Sequence, residues 1–221
     1  MGRLQISSEG SESFYHQLYF DMRGFLLRER PVATTAITDA IKHFFRLRFV
    51  ANHTVLCSHS GSTEYLTDVL VTTFDPKSVV AKRSLQVTAD EITALLAVES
   101  ELGGVGASSA YGVMKNVVED FLKLLMIRSK YRVMVFTSLP YSNEKNSIVN
   151  RLDTLRTLYS RTPGVAGGIL LVHLSGSRPR STQVQAHVTE DSIRGFLISS
   201  NGSSITEISQ DLESPGKGVG P

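Results

Sequence analysis

Apolar residues recur along this chain with two periods, one helical and one of two, and the switches between them lay out the elements. In residues 11–50, Phe14, Leu18, Phe25 and Leu26, then Ile37, Ile41, Phe44, Phe45 and Phe49, return at helical spacing. Pro31 divides this stretch into two helices, because its ring cannot continue a helix, and Thr34, Thr35 or Thr38 are available as caps. After a polar segment at 58–63, EYLTDVLVTTF (64–74) is rich in β-branched and aromatic residues and stops at Asp75-Pro76, a turn signal, which predicts a strand. Residues 77–88 fit either a short strand or a loop.

ITALLAVESEL (92–102) predicts a second strand, stopped by Gly103-Gly104. Residues 108–128 predict an amphipathic helix with Val113, Val117, Phe121, Leu124 and Leu125 on its apolar side. RVMVFTSL (132–139) and GILLVHL (168–174) are short continuous apolar runs, the mark of strands buried on both faces. Between them, 147–160 carries Ile148, Leu152, Leu155 and Leu158 at helical spacing. Two further extended pieces, 182–188 and 193–199, predict an edge hairpin, and 211–221 a flexible tail. From residue 64 the order is strand, strand, helix, strand, helix, strand. The expected fold class is therefore α/β, a mixed central sheet flanked by helices. It forms one domain over 1–210, with a helical N-terminal subregion at 1–55 and a core at 64–174.

Composition adds little beyond excluding some classes. With 221 residues, 41% apolar and 20% charged, the chain reads as a folded domain of ordinary size rather than a disordered one. No apolar run is long enough to span a bilayer, and Met1 to Gly10 lacks the pattern of a secretion signal, so the expected compartment is the cytoplasm, with no membrane partner. Cys57 is the only cysteine, which excludes an internal disulfide framework and a thiolate cluster and fits a small buried hydrophobe. A net charge of +2 neither announces nor excludes a nucleic-acid binder, because an acidic active site offsets a basic binding surface.

The chemistry concentrates in two strands. Side chains two apart on a strand share a face, so Glu99 and Glu101 of LLAVESELGG point to one side while Val98 and Leu102 point to the other. Two carboxylates on a buried-looking strand are costly unless something relieves their charge, and a divalent cation does so. Asp68 interrupts the preceding strand among Leu66, Val69, Leu70 and Val71. If the two strands pair, Asp68 and Glu99 converge on one metal. Oxygen-only ligands suit Mg²⁺, with Mn²⁺ as a substitute. A solvated edge residue or half of an ion pair is the competing reading for any one of these carboxylates.

An Asp followed about thirty positions later by Glu-x-Glu, on paired strands that lead into a helix, resembles the PD-(D/E)xK nuclease superfamily. The likeness is greatest to type II restriction endonucleases of the BamHI-like branch, whose last motif position is Glu. It covers roughly residues 64–174, and ESELGG with SSAYGVMKNVVEDFLKLL is its most specific part. The resemblance implies a restriction-endonuclease-like fold and Mg²⁺-dependent hydrolysis of DNA phosphodiester bonds. Asp68 and Glu99 would hold the metal and Glu101 would help activate the attacking water. Cleavage of both strands of a palindrome further implies double-stranded DNA as partner and a homodimer. Two positions depart from the pattern: Thr67 precedes Asp68 where the superfamily's name has proline, and Glu101 stands where it has lysine. Lys115, on the next helix, offers a positive charge from elsewhere, against the plainer reading of a surface lysine.

Other signals are weaker. Gly104-x-Gly106 partly matches a dinucleotide-binding turn, but Ser109 takes the third glycine position and RVMVFTSLP ends without an acidic residue for a ribose. His53 and His59 flank Cys57 without further zinc ligands nearby. His173 lies in an apolar strand and reads as a satisfied core residue. Arg151, Arg156, Arg161, Arg178 and Arg180 form a basic set, with Arg46 and Arg48 weaker. Arg178 and Arg180, in a loop after the last buried strand, are candidates for a DNA phosphate or a guanine edge, and a solvated surface accounts for them equally well. A non-catalytic binding module with a nuclease-like fold and a repair or recombination nuclease remain the alternatives.

Overall fold

The computed structural model describes residues 8–58, 66–89, 91–103, 109–141, 144, 147–178 and 184–209. Among them, four helices and eight strands follow in the order α1 (Ser8–Glu29), α2 (Thr34–Phe49), β1 (Thr54–Leu56), β2 (Val69–Thr72), β3 (Ala94–Glu101), α3 (Ala110–Met126), β4 (Ser129–Ser138), α4 (Ser147–Arg161), β5 (Ile169–Ser177), β6 (Gln185–Ala186), β7 (Ile193–Ile198) and β8 (Ile205–Ile208). The strands form one mixed sheet in the order β1-β2-β3-β4-β5-β7-β8, with β6 paired to β5 off that path. β1, β2 and β3 make an antiparallel meander. β3, β4 and β5 run parallel, and the antiparallel β7 and β8 close the far side.

Alternation along each strand divides the sheet's residues between two cores. Leu96, Val98, Val133, Val135, Leu170 and Val172 meet α1 and α2 through Leu18, Met22, Ile41 and Phe45. Ala97, Met134, Phe136, Ile169 and Leu171 meet α3 and α4 through Val117, Phe121, Leu124 and Leu155. The helical and strand periods of the sequence therefore close into three layers: two helices, the sheet, two helices. The α/β class with a mixed sheet flanked by helices is what forms. No helix among the described residues is long and apolar enough to cross a membrane.

Several local expectations change. The threonines offered as caps do not cap α2; Thr34 is its first residue, and Ala33 holds the N-cap position without a side-chain bond. The break at Pro31 suffices to start the helix, because the segment is held by its buried face, Ile37, Ile41, Phe44, Phe45 and Phe49. β2 covers only the end of the predicted run at 64–74, of which 64 and 65 lie outside the described residues. The expected edge hairpin does not form. β6 and β7 both pair with β5, and β7 turns instead into β8, which alternation too weak to register had hidden. Residues 77–88 form a loop with a single bridge, Val80 to Val87. The predicted tail, 211–221, lies outside the described residues.

Two details fix α3 over the sheet. Ser109, its N-cap, accepts a hydrogen bond from the Gly112 N–H at 3.0 Å. At the other end, the buried Arg132 of β4 donates to the carbonyls of Leu124 at 3.0 Å, Ile127 at 2.9 Å and Ala166 at 3.0 Å. Carbonyls that end a helix have no partner within it, and a guanidinium with a fan of donors satisfies several at once.

Candidate active site

Because β3, β4 and β5 are parallel, their carboxyl ends, at Glu101, Ser138 and Ser177, lie along one edge of the sheet. β2 runs the other way, so its beginning arrives at that same edge. Val69 pairs with Val98, which sets Asp68 level with Glu99. Leu66 turns the chain into this edge with φ of 71°, a left-handed conformation that a branched side chain adopts at a cost. Loops and side chains at the carboxyl edge of an open α/β sheet are where such folds place ligands.

Asp68 is held on both oxygens. Its Oδ2 accepts the Ser100 N–H at 2.9 Å and the Ser100 hydroxyl at 2.5 Å. Its Oδ1 lies 3.2 Å from Nζ of Lys42, a buried lysine of α2 that also donates to the Ser58 hydroxyl at 3.1 Å. Glu99, only 5% exposed, points to the α3 side of β3 along with Ala97 and Glu101. Burial, and then the negative charges of Asp68 and Asp120, push its carboxyl up to about 8; Lys123 and a bond from the Asp68 N–H oppose that rise. Glu101 is also raised, mainly by burial, against bonds from the Gly103 N–H at 3.0 Å and the Asn116 side chain.

The rest of the cleft comes from α3. Asn116, Asp120 and Lys123 follow at i, i+4 and i+7 and so share one side of the helix, next to the apolar stripe of Val113, Val117, Phe121 and Leu124. Lys123 Nζ is 2.5 Å from Asp120 Oδ1 and 4.0 Å from Glu99 Oε1. Asp68, Glu99, Glu101, Asp120 and Lys123 line one open cavity of about 410 Å³. A cavity of similar size, about 430 Å³, lies between residues 27–32 and 185–190, and Glu190 is the one carboxylate among the residues that line it.

The donor set suits a hard cation. The ligand atoms the cleft offers are oxygens, chiefly of carboxylates with the hydroxyls of Thr67 and Ser100 beside them, and the burial and like-charge repulsion that raise Glu99 are what a divalent charge offsets. Among the described residues no three His, Cys, Asp or Glu groups are close enough to make a ready cluster. Mg²⁺ does not need one, since it is held by one or two carboxylates and fills its octahedron with water and substrate oxygens. Asp68 and Glu99 therefore fit as its ligands.

The sequence-derived residues are distributed unevenly. Asp68, Glu99 and Glu101 share the cleft. Lys115 stands on the exposed side of α3, ion-paired with Glu119 at 3.5 Å, and the α3 lysine that lines the cleft is Lys123. Arg178 is exposed immediately after β5, on the cleft's edge of the sheet, while Arg180 lies outside the described residues, as do Gly104, Gly106 and His59. The basic set does not gather: Arg151 is buried, bonded to Glu144 and the Leu139 carbonyl, and Arg156 pairs with Asp153. Arg48 pairs with Asp21 on α1. His173, read as a satisfied core residue, is buried on β5 but satisfied only in part: Nε2 lies 2.9 Å from the Ser138 hydroxyl, Nδ1 has no hydrogen-bond partner among the described residues, and burial lowers the ring to about 4.

Sequence reasoning missed Lys42, Asp120 and Lys123. The last two had a signal, the i, i+4, i+7 stripe with Asn116; Lys42 had none, because only tertiary contact brings α2 to Asp68. No family model, curated protein or solved structure matches this chain.

Proposed function

We propose that the protein is a Mg²⁺-dependent endonuclease that hydrolyses DNA phosphodiester bonds, of the type II restriction kind, with the restriction-endonuclease-like fold that its Asp…Glu-x-Glu pattern resembles. The observation that carries the reading is the meeting of Asp68 and Glu99 from paired antiparallel strands, with Glu101 beside them, in one cleft at the carboxyl edge of the sheet. Asp68 and Glu99 would hold the ion. Bound there, Mg²⁺ supplies Lewis-acid chemistry, lowering the pKa of water and offsetting charge on the phosphoryl oxygens.

The chain's own residues account for the remaining work. Lys42 and Ser100 hold the Asp68 carboxylate in one orientation. Glu101, raised by burial, takes the proton from the attacking water, directly or through a second water. Water adds to phosphorus, one P–O ester bond breaks, and the leaving oxygen takes a proton from solvent water, which leaves a phosphate monoester on one side and a hydroxyl on the other. Double-stranded DNA is the expected substrate, and a homodimer the expected form for cutting both strands. Arg178 supplies a phosphate or base contact at the cleft's edge.

A second reading, a binding module without catalysis, draws on the ammonium groups of Lys42 and Lys123, which already partner carboxylates of the cleft. Incubating mixed plasmid and phage DNA with Mg²⁺, wild type against Glu99→Ala, separates the two. Discrete fragments from wild type and none from the variant are expected. Nicking or smearing lost in the variant keeps the chemistry and moves the role to repair or degradation. Intact DNA from wild type, in Mn²⁺ as well, overturns the nuclease reading and selects the binding module.

A further inference from the structure

Among the described residues, two lysines reach the carboxylates of the cleft, and they differ in one respect that matters. The side chain of Lys42 is 7% exposed and fixed between Asp68 and Ser58. That of Lys123 is 56% exposed, although the Glu99 carboxylate it approaches is 7% exposed. It comes from the last turn of α3, where the helix dipole favours a cation, and its ammonium lies at the cleft between Asp120 and Glu99. A lysine stem has four rotatable carbons and an exposed head can leave with little loss of packing.

We propose that Lys123 is the cleft's own counter-ion: it pairs with Asp120 and lies against Glu99 while no divalent cation is bound, and it withdraws to solvent when one enters. The inference rests on the reading of Asp68 and Glu99 as cation ligands. An ammonium 4.0 Å from a Glu99 oxygen and a divalent ion on that carboxylate repel each other at short range in a partly buried site, so the two occupy the cleft in alternation. Lys42 remains in place in both states because its other partners, Ser58 among them, do not change. Its charge leaves Asp68 oriented, whereas that of Lys123 acts as a removable plug. The cation that enters must therefore outcompete an internal rival, which sets a threshold on the concentration needed to load the site.

Titration of the full chain with Mn²⁺ at pH 8, followed by calorimetry and by thermal shift, tests this without reference to cleavage. Wild type is compared with Lys123→Met, with Glu99→Gln, and with Lys115→Met, which removes a charge from the same helix but outside the cleft. Lys123→Met is expected to bind Mn²⁺ about tenfold more tightly than wild type, from loss of the competing charge, and Lys115→Met to match wild type. Equal or weaker binding by Lys123→Met, with binding lost in Glu99→Gln, overturns the counter-ion role and leaves the cation site standing. An equal gain in Lys115→Met also overturns it, since general surface charge then explains the effect. Absence of Mn²⁺ binding in wild type and Lys123→Met alike overturns both this inference and the reading beneath it.

Discussion

Glu99 lies near the carboxyl end of a strand covered on both sides, with Asp68 and Asp120 for neighbours, and each circumstance raises the cost of its charge. Its carboxyl is pushed from an ordinary 4.5 up to about 8. Between those values the folded chain keeps a proton that the unfolded chain has released, so this group's contribution to stability is full at acid pH and is lost as pH rises towards 8. Glu99→Gln removes the ionisation. In chelator, melting curves from pH 5 to pH 9 should show the variant near wild type at the acid end and exceeding it by about 4 kcal/mol at the alkaline end. Parallel curves for the two proteins would show that the Glu99 charge is compensated and that the repulsion argued for the cleft is absent. Glu101 and Asp68 each accept a backbone N–H, from Gly103 and Ser100 respectively, and Asp68 adds the Ser100 hydroxyl and the Lys42 ammonium, whereas the bond that Glu99 takes from the Asp68 N–H does not offset its burial. Position on the strand gave the three carboxylates the same pattern, and local hydrogen bonding gave them different chemistry.

At the scale of elements, the site depends on how α3 sits, because one side of that helix supplies Asn116, Asp120 and Lys123 and the adjacent stripe fills the core. The helix was legible from its period, and Ser109 starts it as a capping residue should. Its end was not legible. Arg132, first read only as the opening of a buried strand, reaches back to the carbonyls of Leu124 and Ile127 and across to Ala166. Burial lowers the guanidinium's pKa from its ordinary value, yet its partners keep it satisfied. Arg132→Met keeps the stem and removes the donors, leaving three carbonyls without them. Urea denaturation should show a loss on the order of 3 kcal/mol, and hydrogen exchange should quicken at the C-terminal turn of α3. A loss below about 1 kcal/mol would mean that water replaces the guanidinium without penalty. The pairing of β7 with β8 was hidden for a related reason: β8 is short, with only Ile208 buried, so its alternation carries little signal.

For the whole molecule, the parallel run of β3, β4 and β5 beside the antiparallel β2 decides that three carboxylates distant in sequence share an edge. On the proposed reading of Asp68 and Glu99 as cation ligands, a cation that enters there below about pH 8 displaces the proton of Glu99, which couples binding to pH. Apparent Mg²⁺ affinity, measured by thermal shift at fixed ionic strength, should rise with pH through the range up to about 8 and then level off. The cation should also stabilise the fold more at pH 8 than at pH 6, because it relieves repulsion that protonation relieves at the lower value. Affinity independent of pH across that range would remove Glu99 from the ligand set.

The chain's local pattern lays out the alternation of helix and strand, the two helices broken at Pro31, the buried central strands, and the shared face of Glu99 and Glu101. All of these follow from local periodicity and from the covalent limits of proline. It also marked Asp68 as out of place among apolar neighbours. That Asp68 stands level with Glu99 is set by the packed fold, because strand register depends on which distant faces bury together. It likewise brought Lys42 from α2 to Asp68 and chose Lys123 over Lys115 as the α3 lysine in the cleft. A helix period places residues around an axis, but which side faces the sheet, and which charge therefore meets which, is settled by packing.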